Sequence, residues 1–189
     1  TIFIGILFVL ANLEKEFKLN LRQTFLFSTL AWLMVAIFGS LPFLLSGYEF
    51  TISEAFFESM SGITTTGATI ISDLDNSPKS ILLWRAIMQW LGGIGIVVMA
   101  ITILPLLKVG GMQLFKMEGP DTTEKILPRT IEVAAIIIST YVALTFFCGL
   151  FYWLFGMTVF DSVCHAMTTI ATGGFSTHND SIGFFKNSN

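Results

Sequence analysis

The sequence predicts an all-α membrane protein built from a repeated unit, in which two long helices flank a short helix and a Thr/Gly-rich segment. Composition, long uncharged runs and an internal repeat support this. The 189 residues are 53% hydrophobic and 12% charged, whereas soluble domains carry about 25% charged residues. Such a chain cannot cover itself with polar groups in water, which excludes an ordinary soluble enzyme. The net charge of −3 leaves no basic surface for a nucleic-acid partner.

Three uncharged runs are long enough to cross a bilayer, which takes about 20 residues. They lie at residues 23–48, 86–107 and 133–157. Together with their flanks they predict transmembrane helices at residues 23–48, 80–107 and 130–157.

Residues at the edges of these runs suggest where the helices begin and end. Arg85 and Glu132 lie just outside two runs, where we expect charges to reach the membrane interface. Pro128 suits a helix start. The apolar residues 1–13 are too short to span and lack the basic start of a signal peptide. We therefore expect the end of a preceding transmembrane helix there, and a chain that is a piece of a longer protein.

Basic residues are concentrated in two connecting segments, residues 14–22 and 108–129. These segments hold seven of the ten Lys and Arg residues, namely Lys15, Lys18, Arg22, Lys108, Lys116, Lys125 and Arg129. Because basic loops stay in the cytoplasm, we expect both segments there. The predicted helices then run outward, inward and outward in turn.

The outer segments, residues 51–72 and 158–176, are too apolar for solvated loops and too short to cross. Each predicts a re-entrant element, in which a short helix dips into the membrane and the chain returns extended. Both begin with a helix-capping pattern, Thr51-x-x-Glu54 and Thr158-x-x-Asp161, in which a hydroxyl and an acid satisfy the positive helix end.

These two segments are copies of each other. A shift of 107 positions, the separation of Thr51 from Thr158, aligns them without a gap. The shift pairs Met60 with Met167, Ser61 with Thr168, Ile63 with Ile170, Thr65 with Thr172 and Gly67 with Gly174. The preceding long helices fall in the same frame. We infer a repeated unit, complete once at residues 23–107 and incomplete at residues 130–189.

The Thr/Gly segments, residues 61–69 and 168–176, predict a path for a cation. An ion crossing a membrane needs oxygens in place of its water shell, and backbone carbonyls can supply them. Glycine permits the necessary backbone geometry, and Thr hydroxyls add oxygens. The short helices aim their negative ends at these segments. The alternative is an outer loop without a role in ion binding.

The motifs also resemble a known family. The stretch Phe56–Thr69 resembles the first pore loop of the TrkH/KtrB/HKT superfamily of potassium transporters, TrkH branch. Further matches over the whole chain are Trp84-Arg85, residues 89–96, 104–107 and 110–114, Asp161, Cys164-His165 and residues 170–178.

The resemblance implies repeated helix–pore helix–filter loop–helix units, with four units around one potassium-channel-like pore; here the set is truncated. It implies potassium as the transported ion, no organic cofactor, a location in the bacterial cytoplasmic membrane, a homodimer and a cytoplasmic nucleotide-binding regulatory ring. It makes Gly67 and Gly174 the filter glycines. Neighbouring carbonyls would come from Thr64, Thr65, Thr66, Ala171, Thr172 and Gly173.

Other polar and small residues receive structural interpretations. Gly92-Gly93-x-Gly95 predicts close helix packing rather than a nucleotide loop. His165 is expected to make a polar contact behind the filter rather than bind a metal, and His178 is expected to be solvated. Glu58 is expected to be structural, with Arg85 as a candidate partner.

Cys148 and Cys164 are expected to be small core residues. Three other functions stay open: a sodium- or ammonium-permeable transporter of the same architecture, an intramembrane hydrolase using a Ser or His near a re-entrant loop, and a membrane scaffold without transport.

Overall fold

The computed structural model describes residues 21–107 and 123–186. These residues form helices and no strand. The helices are α1 (Leu21–Leu45), α2 (Ile52–Ile63), α3 (Lys79–Leu107), α4 (Thr123–Leu154), α5 (Val159–Ile170) and α6 (Gly183–Lys186). Within the described part, the prediction of an all-α chain is confirmed. The expectations for residues 1–13, for most of the segment 14–22 and for residues 108–122 lie outside it.

Three of the helices are long and apolar enough to cross a membrane. The candidate spans are Arg22–Leu45, Lys79–Met99 and Glu132–Leu154. In the most apolar stretch of the third span no residue is buried, whereas 39% of the residues in the corresponding stretch of the second span are buried. Exposed apolar surface of this extent requires an apolar surrounding, so the chain is an integral membrane protein.

The helix ends differ from the predicted ones where glycine turns intervene. α1 ends at Leu45 rather than residue 48, because Gly47 has a φ of 73°, a left-handed value that ends helices. α4 ends at Leu154 rather than 157 for the same reason, since Gly156 has a φ of 99°. α4 also begins at Thr123 rather than 130, so Pro128 lies inside the helix and the prediction of a helix start there is wrong.

The two short helices begin as the capping patterns predict. The hydroxyl of Thr51 accepts a hydrogen bond from the backbone N–H of Glu54 (3.3 Å), and the Glu54 carboxylate accepts one from the N–H of Thr51 (2.8 Å). At α5 the hydroxyl of Thr158 accepts from the N–H of Asp161 (3.2 Å). These bonds satisfy N–H groups that the first helical turn leaves without partners.

Helix α3 occupies the centre of the described structure. It packs against α1, α2, α4 and α5, whereas α1 packs on α2 and α4 packs on α5 as equivalent pairs of the repeat. The last helix of the first unit thus also forms a wall for the second. The largest buried apolar cluster joins α1, α2, the following loop and the start of α3 through Phe43, Ala55, Ile71, Leu74, Ile81 and Leu82.

Glycines on α3 allow the ends of both short helices to approach it. Gly92 lies against the backbone carbonyl of Ile63, and Gly93 lies against Ala171 and the hydroxyl of Tyr141. The prediction of close packing through this glycine stretch is confirmed. Gly95 has only ordinary van der Waals space beside it, next to the ring of Trp32.

We expect Gly92→Ala to destabilise the full-length protein, since the new Cβ would overlap the Ile63 carbonyl and overpacking costs about 1–3 kcal/mol. The measurement is melting temperature in detergent, together with abundance in the membrane. Gly95→Ala on the same helix is the control and should cause no loss. Equal behaviour of the two variants would contradict this packing argument.

Candidate functional site

Both Thr/Gly segments begin with the same backbone turn. Thr65 and Thr172 each have a φ of 56°, and two residues later Gly67 and Gly174 have φ values of 77° and 83°. At the first turn the N–H of Thr66 donates to the Ser61 carbonyl (3.0 Å). The matching bond of the second turn, from Gly173 to Thr168, is 2.9 Å. The repeat seen in the sequence is therefore present in the backbone.

The turn places a β-branched residue where glycine is usual. A left-handed residue after a helix end is commonly Gly, and a β-branched residue with positive φ is an outlier. Thr65 and Thr172 hold this conformation at equivalent positions of both copies. Strained backbone of this kind concentrates at functional sites, so its repetition makes these two turns candidates for a functional site.

The two Thr/Gly segments touch each other. Gly67 lies against the carbonyl oxygen of Gly173, so closely that a Cβ at Gly67 would overlap that oxygen. Gly173 in turn lies against the side chain of Gln89 on α3. Among the described residues, no atom lies within 4 Å of the position of a Cβ on Gly174. The fold thus brings the first predicted filter glycine to the second segment, whereas no described residue packs on that side of Gly174.

The other predicted site residues lie around these turns. Thr64 and Ala171 are the C-cap residues of α2 and α5. Ala171 is buried, whereas Thr64, Thr66 and Thr172 are exposed and Thr65 is half-buried. The hydroxyl of Thr64 donates to the Met60 carbonyl and that of Thr172 donates to the Ala171 carbonyl, both at 2.7 Å. These hydroxyls therefore satisfy oxygens at the helix ends.

A buried ion pair lies behind the segments. Arg85 Nε and Glu58 Oε1 are 2.6 Å apart, and the two side chains are 1% and 0% exposed. The predicted pairing is confirmed. The expectation that Arg85 reaches the membrane interface is wrong, because Glu58 supplies the counter-charge that makes burial of the guanidinium tolerable.

This ion pair contacts both segments. The Glu58 carboxylate accepts hydrogen bonds from the Thr69 hydroxyl (2.8 Å) and the Ile70 N–H (3.2 Å). Arg85 donates to the carbonyl of Ser176 (3.1 Å), and its guanidinium lies 4.0 Å from the ring centre of Phe175. One charge pair thus anchors the first segment through its acid and the second through its base.

His165 occupies the position on α5 that Glu58 occupies on α2. Its Nδ1 is 2.9 Å from the Asp161 carbonyl, which can only accept, so Nδ1 carries the proton. Its Nε2 lies 3.0 Å from the Ser176 hydroxyl and accepts from it. The predicted polar contact is confirmed. Burial lowers the pKa of His165 below its usual value, which favours this neutral form.

The outer ends of the two units are joined by His178, which we expected to be solvated; this expectation is wrong. Its Nδ1 lies 2.6 Å from a carboxylate oxygen of Asp75, its side chain is 18% exposed and its ring stacks on Phe184.

Burial raises the pKa of Asp161, but hydrogen bonds from Thr158 and Thr177 and the nearby His178 outweigh it, so this pKa lies below its usual value.

Gln89 is the residue of the site to which sequence reasoning assigned no role. Its side chain is fully buried, and its Oε1 accepts a hydrogen bond from the N–H of Phe175 at 3.1 Å. A polar side chain inside an apolar membrane run is costly and signals function. That signal was available in the sequence, but the partner of Gln89 was not.

Comparison with known proteins identifies the family. The family model described as "TrkH: Cation transport protein" matches residues 1–189. The chain belongs to the TrkH family. The predicted resemblance is thereby confirmed, and the family is one of transport proteins rather than enzymes.

Named relatives agree with this family. The Trk system potassium uptake protein TrkH of Vibrio parahaemolyticus is 45% identical over 187 residues, which cover 97% of this chain and 39% of that protein. The TrkH protein of Escherichia coli K12 is 48% identical, over 92% of this chain and 37% of that protein. The TrkH-family chain described here thus spans less than two fifths of these relatives.

A solved structure matches the fold of this TrkH-family chain. The crystal structure of the potassium transporter TrkH from Vibrio parahaemolyticus superposes with a TM-score of 0.76 at 43% sequence identity. The match covers 92% of this chain and 34% of that one.

The geometry also bears on the hydrolase alternative. His165 does pair with a hydroxyl, that of Ser176, and its other ring nitrogen bonds to the Asp161 carbonyl. The Ser176 oxygen also accepts from the N–H of His178 at 3.1 Å. Such hydrogen bonds also occur in catalytic Ser–His pairs, so the family match to transport proteins, and not this geometry, is what argues against the hydrolase.

We expect Glu58→Gln to destabilise the full-length protein strongly, because it leaves the buried cation of Arg85 without a counter-charge. Breaking a buried pair in this way costs about 3–5 kcal/mol. Membrane abundance and melting temperature measure the effect. Glu54→Gln, which weakens only the exposed α2 cap, is the control and should lower both much less. Uptake and stability at the wild-type level in Glu58→Gln would show that the pair is dispensable.

We expect stability to fall with acidification through His165. Its folded pKa lies below the unfolded value, so unfolded chains bind the extra proton and stability is lost as pH falls below about 6.5. Melting temperatures measured between about pH 7.5 and 5.5 should fall less in His165→Gln than in wild type. Parallel curves for the two proteins would contradict a neutral buried His165.

Proposed function

We propose that this chain forms part of a potassium-uptake pore in the bacterial cytoplasmic membrane, and that its two Thr/Gly segments are filter loops. The observation that carries the proposal is the contact between two identical turns, at Gly67 and Gly173, each following a capped short helix. The names of the relatives, which are potassium uptake proteins, support the choice of ion.

Helix geometry favours a cation at this contact. The C-terminal ends of α2 and α5 lie immediately before the loops, and a helix carries about half a negative charge at that end. Because glycine has no side chain, carbonyl oxygens would line the wall of the pore at these positions. Such a wall suits potassium, which gives up its water shell more readily than sodium.

The residues that would supply oxygens are those predicted from the sequence. We assign ion contact to the backbone of Thr64, Thr65, Thr66, Gly67, Ala171, Thr172, Gly173 and Gly174. Potassium is the transported substrate in this proposal, and no organic cofactor takes part. A sodium- or ammonium-permeable pore of the same architecture is the second candidate, and uptake measurements discriminate between them.

The orientation and partners follow from the basic segments and the family resemblance. Residues 14–22 and 108–129 face the cytoplasm in this proposal, because they carry most of the Lys and Arg residues and basic loops stay on that side. Residues 108–129 form the natural contact for a cytoplasmic nucleotide-binding regulatory ring. The assembled protein is a homodimer.

The filter assignment predicts that Gly67→Ser lowers the preference for potassium over sodium. The new Cβ would overlap the Gly173 carbonyl, so the two loops must separate or re-aim their oxygens. Gly174→Ser should act in the same direction through backbone strain alone, since its φ is 83° and its surroundings are open. Rubidium and sodium uptake at matched expression measure the ratio.

Gly47→Ser is the matched control for these variants. Gly47 also has a left-handed φ, 73°, and open surroundings, but it lies in the turn after α1. It should keep the wild-type ratio. If Gly67→Ser and Gly174→Ser keep that ratio as well, the loops are not the filter.

A further inference from the structure

We propose that Gln89 is a positioning residue that fixes the spacing of the two filter loops and thereby sets ion selectivity. The inference rests on the proposed function, since it assigns a determinant of selectivity to that same filter. Gln89 touches no ion in this proposal and acts through the backbone of the second loop.

A continuous line of contacts runs from Gln89 to the first loop. Its Oε1 accepts the Phe175 N–H at 3.1 Å, and its carboxamide occupies the space that a side chain at Gly173 would need. The carbonyl oxygen of Gly173 then lies against Gly67. The carboxamide therefore packs against the second loop at the residue that contacts the first loop.

The other end of the carboxamide faces the first loop directly. Gln89 Nε2 lies 3.6 Å from the position a Cβ would take on Gly67. It is buried and has no hydrogen-bond partner among the described residues. Native structures leave few buried N–H groups without a hydrogen-bond partner. Here the carboxamide is held in that state by its packing between the two loops.

Arg85 makes this placement rigid. It lies one helical turn before Gln89 on α3 and holds the same loop through the Ser176 carbonyl. Phe175 and Ser176 are thus fixed by consecutive turns of one helix. A filter selects by the size and number of its oxygen contacts, so the loop held by these side chains keeps the spacing that the larger ion requires.

The hydrogen bond to Phe175 is the step to test. Gln89→Met keeps most of the side-chain volume but leaves the buried Phe175 N–H without an acceptor. We expect the ratio of rubidium to sodium uptake by the full-length protein to fall about fivefold or more, because an unsatisfied buried group costs about 1–3 kcal/mol, which is about 5- to 150-fold in an equilibrium constant.

Trp90→Phe is the matched control. Trp90 is the next residue of α3 but faces α4, where its Nε1 donates to the Thr145 hydroxyl at 3.0 Å. The control loses a hydrogen bond of the same helix without touching a loop, so it should lower abundance at most and leave the ratio unchanged.

The outcomes separate this inference from the filter assignment. A wild-type ratio in Gln89→Met overturns the role of Gln89 even where Gly67→Ser changes the ratio. If Gln89→Met does not reach the membrane, Gln89→Asn makes the same test, because its amide is one methylene too short to reach Phe175. Wild-type ratios in both Gly67→Ser and Gly174→Ser overturn the filter assignment itself, whatever Gln89→Met shows.

Discussion

The Thr/Gly loops leave regular secondary structure, and each buried polar backbone group there needs a hydrogen-bond partner. In this chain the partners come from a few buried side chains. Glu58 accepts from Ile70, Arg85 donates to Ser176 and Gln89 accepts from Phe175. Two of these three side chains stand on α3, which explains its central position.

The two copies of the repeat solve this same problem with different chemistry. In the first copy the acid Glu58 bonds to the hydroxyl of Thr69, and in the second copy the equivalent His165 bonds to the equivalent Ser176. The charged version requires a buried counter-ion, which α3 provides. The neutral version requires only a fixed tautomer. The shared backbone turn is therefore compatible with either, provided that a buried partner reaches the loop.

Glycines in and around the loops are required for different physical reasons. Gly67 combines a left-handed φ with a close backbone contact, Gly174 has the left-handed φ alone, and Gly173 leaves room for the Gln89 carboxamide. On α3, Gly92 and Gly93 admit the ends of the short helices. Each of these glycines is therefore required for its own physical reason, although in the sequence they look alike.

Local physics in the sequence was sufficient for the long helices, the capped short helices and the duplicated turn. These follow from the length of apolar runs, from hydrogen bonds within three or four residues and from a repeat. Tertiary structure alone decided that Arg85 is buried, that His178 meets Asp75 and that Gln89 holds Phe175. Each of these contacts joins residues 86 to 103 positions apart in the chain, and a linear pattern does not specify which distant groups packing brings within hydrogen-bond reach.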